Sequence, residues 1–478
     1  MQAGLASRST VDRYVPPAVA VVVGAALGGG TRAGSLVLGA ALAAITFVVP
    51  MGWLASLSLG AALGFRLLAP SSSGPLSVVP DALIALVALR AGALVALQGA
   101  PNLPPLVRRA GALVALLALL ALASAVVNHD SARALVGSLR QFVRFPLWAL
   151  ALLIAGLTWK DGRLLLRVLL AGSLLQLPFA VAQFGLHGAG DGVVGTFGAG
   201  GSGVMMVFLV AMAAVWFALA MERAIPWWTL WAIGPTVILP MALGSAAMFV
   251  VFLPLAVFLL MVRATMLGRG PRPGVLAGLL VILAVAGWGA RSFAVAPPCA
   301  GCASTAATSI YSNRYLAQYY DESLRQGPNS RLGFLVFAAR ADAQTGPSGM
   351  LFGQGPGQSF VGAGATPDAK LSLSRFPALR TRSLQSVQRV VLGLGFPALG
   401  LIILLIGLPG WASMRPLSSS DPLARAVTLA MPVVAAIILL TGPYTASWSD
   451  PGVVAAYWAL ALVAQTARDT GRAPMEGA

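Results

Sequence analysis

Charge is scarce in this sequence. Only 9% of its 478 residues are charged, against roughly a quarter in a soluble globular domain. Acids are rarer still, 14 against 31 basic residues. Lysine is nearly missing, with Lys160 and Lys370 beside a population of arginines. Histidine is confined to His129 and His187, and cysteine to Cys299 and Cys302. Two thiols with no histidine nearby do not complete a zinc site, so no metal and no cofactor is expected. The net charge of +17 invites a nucleic-acid reading, but the arginines sit at the ends of apolar runs and in one long loop. That distribution fits a bilayer and anionic ligands, and excludes nucleic acid as the expected partner.

What is abundant is apolar sequence. Hydrophobic residues make up 58% of the chain and the mean hydropathy is +0.85, which predicts an all-α polytopic membrane protein. Runs of spanning length lie near 15–31, 33–49, 51–69, 77–98, 110–127, 141–158, 163–185, 200–221, 225–243, 245–262, 273–290, 388–410, 424–442 and 451–467. About 12–14 transmembrane helices are expected, the first two runs being short. Met1 to Pro17 holds Arg8, Asp12, Arg13 and two prolines. No cleavable signal peptide is expected there, and the first span serves as an uncleaved signal.

Arginine placement sets an orientation. With the N-terminus inside and alternating spans, Arg108, Arg109, Lys160, Arg163, Arg167, Arg223, Arg263, Arg415, Arg425 and Arg468 fall inside. The short outer loops keep Arg32, Arg133, Arg140 and Arg144. Both termini are then cytoplasmic in a plasma membrane, and the polar stretch 289–388 faces outward. Three parts follow: a transmembrane bundle over 1–288, an extracytoplasmic loop subdomain over 289–388, and transmembrane helices with a short tail over 389–478. The glycine-rich loops 128–144, 187–203, 244–245 and 441–451 are expected on the same face as the long loop.

A polar loop this long inside a membrane domain is read as the working surface. Tyr311 to Arg325 reads as a helix bearing Tyr311, Tyr315, Tyr319 and Tyr320, whose flat faces and hydroxyls suit sugar rings or a membrane interface alike. A second helix is expected over 330–343, with Leu332, Leu335, Val336 and Ala339 as its apolar stripe. Arg331 and Arg340 on that helix are candidate catalytic phosphate contacts, and the same pattern would suit a helix lying on the bilayer. Gly353, Gly355 and Gly357 offer backbone amides that can cradle an anion, or simply make a tight turn. Arg140 and Arg144, one turn apart, with Arg314 and Arg382, are candidate diphosphate ligands. His187 and Asp191 are candidate general bases, with a polar loop cap as the plainer reading; Asp321 and Asp342 are further carboxylates for that role. Cys299 and Cys302 are read as a local disulfide if the compartment is oxidising.

Several short motifs recur together: Gly195-Thr-Phe-Gly198 before a span, Leu243-Gly-Ser245 between two spans, Leu351-Phe-Gly-Gln-Gly-Pro-Gly357 in the long loop, and Leu394-Gly-Phe-Pro-Ala-Leu-Gly400 opening the next span. In this the chain, from about Gln176 to its end, resembles the O-antigen ligase and O-antigen polymerase family of bacterial membrane glycosyltransferases of the GT-C type. The resemblance implies a polyprenyl-pyrophosphate-linked saccharide donor, a glycan or lipid acceptor, envelope-polysaccharide assembly partners, inversion at the anomeric carbon and no metal. Gly192-Val-Val stands where the family often has an arginine, Gly244-Ser245-Ala246 where it often has Gly-Ser-Arg, and Arg382-Ser-Leu-Gln-Ser386 where ligases have a histidine. Those ligase roles do not carry over, which favours a polymerase. The other classes open to the sequence are a transporter or flippase of lipid-linked sugars, for which Arg90 in mid-span is the relevant charge, and a non-catalytic assembly protein.

Overall fold

A computed structural model describes residues 49–68, 79–99, 103–187, 192–197, 202–244, 249–268, 331–356, 385–417 and 419–470. Among these residues the chain is helical throughout, without strands. In chain order the helices are α1 (Met51–Leu68), α2 (Val79–Gln98), α3 (Pro105–Val127), α4 (Ala132–Phe142), α5 (Arg144–Ile154), α6 (Trp159–His187) and α7 (Ser202–Met221). They continue with α8 (Thr229–Leu243), α9 (Phe249–Met266), α10 (Arg331–Gln344), α11 (Pro347–Phe352), α12 (Ser386–Ala412), α13 (Pro422–Thr441) and α14 (Pro451–Thr470).

Six of them are long and apolar enough to cross a membrane: α2, α3, α6, α7, α12 and α13. The chain is thus a polytopic, membrane-embedded protein. Leu116, Leu119 and Leu122 of α3 and Leu404 of α12 are exposed, which suits a bundle whose sides face hydrocarbon. The expected spans at 15–31 and 273–290, and nearly all of that at 33–49, lie outside the described residues. The expected span at 141–158 is shorter than read from the sequence. Val143 separates amphipathic α4 from α5, whose apolar run ends at Ile154.

The core is organised on α7, which is apolar all round and therefore buried all round. Met205, Val207, Leu209, Val210 and Ala214 have no exposed surface. It packs on α13 most extensively and also on α9, α8, α6 and α14.

Tertiary contacts sort the helix termini into two ends. At one, the Asp81 side chain near the start of α2 meets Arg140 and Arg144. There too Ser386, opening α12, donates through its amide (3.0 Å) and its hydroxyl (2.8 Å) to the Thr445 carbonyl between α13 and α14. A Cβ on Gly203 would touch Thr445, one on Gly452 would strike Phe197, and one on Gly244 would strike the Val193 carbonyl. The 128–144, 192–197, 202–203, 244 and 441–451 segments therefore share an end with α10 and α11; we call it the loop end. At the opposite end Trp159 and Arg163 bind Asp421, and Arg425 binds Glu222.

Candidate functional site

Two glycine-bearing segments some forty residues apart in sequence form one structure at the loop end. α12 is not a continuous helix: Gly395 sits at φ 81°, ψ 179° inside it. Gly353, after α11, has φ 65°. Both lie in the region that strongly favours glycine. Space demands glycine as well. A Cβ on Gly395 would lie 2.6 Å from the Leu351 carbonyl, and one on Gly353 would lie 2.7 Å from the Leu392 carbonyl. The Gln354 amide donates to Leu392 O at 2.6 Å, which fixes the register of loop against helix.

The end of α3 completes this lock. Ser124 Oγ lies 2.6 Å from Phe352 O and 3.0 Å from Gly393 O, so one hydroxyl ties both segments. Asn128 Nδ2 donates to Ser124 O at 2.9 Å. His129, at φ 55°, turns the chain toward Ser131, whose hydroxyl caps α4 by accepting from the Ala134 amide at 3.3 Å. The Asp130 carboxylate comes against Gly355, where an added Cβ would lie 2.2 Å from it.

These contacts revise the anion-cradle reading of the glycines. The Gly353 amide donates to Gly349 O at 2.7 Å and the Gln354 amide to Leu392 O, so both donors are used by backbone. The space beside Gly355 holds a carboxylate, not an anion-attracting group. Close packing accounts for Gly353 and Gly355; Gly357 lies outside the described residues.

The loop helix α10 also differs from expectation. Its buried positions are Ala338, Ala341 and Asp342, while Val336 is exposed. Small side chains let α10 approach the glycine-rich opening turns of α12 closely, and Leu335 is partly buried against the same core. Asp342 is fully buried. Its Oδ1 accepts from Gln354 Nε2 at 3.1 Å, and its Oδ2 has no hydrogen-bond partner. Burial pushes its pKa up to about 7, against the lowering effect of the Gln354 bond. A carboxyl with that balance can take or give a proton near neutrality.

The charged group of the loop end is built on α4, α5 and α2. Arg140 Nη2 meets Asp81 Oδ2 at 2.5 Å, and Arg144 Nη1 meets Asp81 Oδ1. Arg140 is half exposed, whereas the Arg144 side chain is 10% exposed and lies over the Phe145 ring, 4.4 Å from its centroid. The Asp450 carboxylate, which caps α14 through the Gly452 amide at 2.9 Å, acts electrostatically on Arg144. Along the same α4–α5 stretch, Ser138 Oγ, Gln141 Oε1, Arg144 Nε and Trp148 Nε1 are buried without hydrogen-bond partners. Such atoms are uncommon in a packed interior, and here four follow one another at helical spacing.

Beside this group runs a narrow, partly open apolar cavity walled by Phe142, Pro146, Ile402, Leu405, Ile438 and Tyr457. A second cavity shares Ile438 and Tyr457 and continues toward Phe208 and Met212 of α7. The apolar cavity and Arg144 thus flank the same α4–α5 junction.

Elsewhere at this end the Gly195-Thr-Phe motif is held by two glutamines of α6. Gln183 Oε1 accepts from the Val194 and Gly195 amides at 2.8 Å each, and Gln176 Oε1 accepts from the Thr196 amide at 2.9 Å. The motif is a hydrogen-bonded turn between α6 and α7. Arg340 is exposed on α10, Arg331 opens that helix and His187 closes α6. Arg340 and the Arg140–Arg144 pair are not brought together by any contact among the described residues. Asp191, Asp321, Arg314, Arg382, Tyr311, Tyr315, Tyr319, Tyr320, Cys299 and Cys302 lie outside the described residues. Among those described, no three of His, Cys, Asp and Glu gather closely enough to hold a metal ion.

Asp81 is the functional candidate that sequence reasoning missed. Its signal was a lone carboxylate in the first turn of an apolar span, in a chain with few acids. Arg90, farther along α2, donates to the Val49 carbonyl at 2.6 Å, which gives that mid-span charge a structural partner. Comparison with known proteins adds no assignment, since no family model and no curated protein matches the chain.

Proposed function

We propose that the chain is a membrane glycosyltransferase acting on a polyprenyl-diphosphate-linked saccharide, and that it extends the glycan as a polymerase rather than transferring it as a ligase. The observation that carries this reading is the pairing of Arg140 and Arg144 on one carboxylate at the loop end, beside Phe142 and Pro146, which wall an apolar cavity. A lipid diphosphate needs paired cations for its head, and its isoprenoid chain can lie along the apolar, lipid-facing sides of the bundle. In this reading the loop end faces the outer side of a bacterial plasma membrane.

Arg140 and Arg144 hold the diphosphate and stabilise the charge that develops on it as the glycosidic bond breaks. The acceptor hydroxyl loses its proton to a carboxylate. Asp342 has a raised pKa but is fully buried, so Asp191 stays a candidate for that role. Arg331, Arg340 and the tyrosines of 311–320 remain candidates for the glycan and phosphate contacts of the long loop.

The test is incubation of purified protein in nanodiscs with a polyprenyl-diphosphate oligosaccharide, without nucleotide sugar. A ladder of longer lipid-linked glycans is expected. Transfer to a different added acceptor would make the protein a ligase. Intact donors combined with movement of labelled lipid between leaflets would replace the reading with a flippase.

A further inference from the structure

Arg140 and Arg144 stand one helical turn apart and share a single carboxylate, each taking a different oxygen of Asp81. An oxyanion bridging two guanidiniums through separate oxygens is also how such a pair grips phosphate. Asp81 therefore stands where a ligand oxyanion would bind. The two arginines differ in access: Arg144 is nearly enclosed, while the Arg140 side chain is 49% and Asp81 25% exposed. Exchange of the carboxylate for another anion can begin at Arg140 without moving Arg144.

We propose that Asp81 determines specificity as an internal competitor anion, which a lipid diphosphate displaces and a lipid monophosphate does not. This rests on the reading that Arg140 and Arg144 receive the donor's diphosphate. An incoming anion must replace both guanidinium contacts of a tethered carboxylate and sit close to the charge of Asp450, which already acts on Arg144. A diphosphate has oxygens on two phosphorus centres to span both cations and more charge to offset the repulsion. A phosphate monoester carries about −1.5 to −2 near neutrality on one centre. Asp81 thereby penalises the weaker anion more, a case of specificity obtained by building in repulsion.

Equilibrium binding of farnesyl diphosphate and farnesyl monophosphate to the detergent-solubilised full chain tests this. In Asp81→Asn the monophosphate is expected to bind about tenfold tighter or more, the diphosphate to gain less, and the preference between them to shrink. Asp81→Glu, which keeps the charge, is expected to retain the wild-type preference. Asp81→Ser provides a second uncharged variant and should behave as Asp81→Asn does. An unchanged preference, or equal weakening of both ligands, would make Asp81 a positioning residue and overturn the proposal. So would loss of folding in both uncharged variants. The Arg140→Gln/Arg144→Gln protein separates the underlying reading. If it binds farnesyl diphosphate as wild type does, the arginines are not the diphosphate site and both readings fall. If its binding is lost while Asp81→Asn keeps the wild-type preference, only the competitor role falls.

Discussion

The two ends of the bundle use the same ion-pair chemistry for different ends. Opposite the loops, Asp421 accepts from Trp159 Nε1 (2.8 Å), Arg163 Nη2 (2.7 Å) and the Leu423 amide (2.9 Å), which ties α6 to the start of α13. Glu222 pairs with Arg425, which also donates to the Ser419 carbonyl at 2.9 Å. Asp421 and Glu222 each pair with an arginine there, while Asp161 and Asp469 accept from Thr158 and Gln465. At the loop end one carboxylate serves two arginines, and Arg144 Nε, Ser138 Oγ and Gln141 Oε1 are buried without partners. A staple needs every group satisfied, because an unmet buried donor or acceptor costs stability. A site that must receive a charged ligand keeps some of that capacity unused. On the proposed function, the loop-end group is the one that receives a charged ligand.

The largest expected effect breaks the contrast at its working side. Arg144→Gln should lower the yield of extended glycan about 100-fold or more, the scale for losing a fixed positive group at developing charge, measured on folded protein with a lipid-diphosphate donor. Gly395→Ala comes next. A side chain at that positive φ, 2.6 Å from the Leu351 carbonyl, should destabilise the protein by about 2–4 kcal/mol, seen as a lower unfolding midpoint in detergent. Asp421→Asn sharpens the comparison from the other side: it should cost about 1–2 kcal/mol and leave turnover of the remaining folded protein unchanged. Turnover that fell as far as in Arg144→Gln would erase the distinction between the ends.

The last expected effect is a pH dependence. The Asp342 pKa is raised by burial from 3.8 to about 7, so the folded state binds the proton more tightly than the unfolded chain. Its contribution to stability is present below pH of about 4 and is lost as pH rises through about 7. Asp342→Asn should flatten that part of the pH–stability curve. A curve unchanged by the substitution would place the titration elsewhere.

The helices were legible because apolar runs of membrane length leave few alternatives, and α2, α3, α6, α7, α12 and α13 lie close to the runs read from the sequence. The gathering of glycine-rich loops at one end was legible from alternation alone. What fills the space beside a glycine was not. Gly353 and Gly355 show in the sequence only that a side chain is missing, and both an anion and another backbone explain that. The inner face of α10 was read in part: Leu335 packs on the core, whereas Val336 is exposed and the buried positions include Ala338 and Ala341. Asp81 lies some sixty residues from its arginines, and no local pattern links a first-turn carboxylate to a pair across the bundle.

The backbone contact of residues 351–354 with 392–395 bears on how this chain can vary. Where two main chains touch, neither strip can gain a residue or a side chain without displacing the other. Lengthening a flexible loop carries only a small entropic cost. Loop exchanges between related chains should therefore succeed only when both strips travel together, or when the graft begins after Gly355 and ends before Ser386. The contact marks off which part of the long loop is interchangeable cargo and which part is chassis.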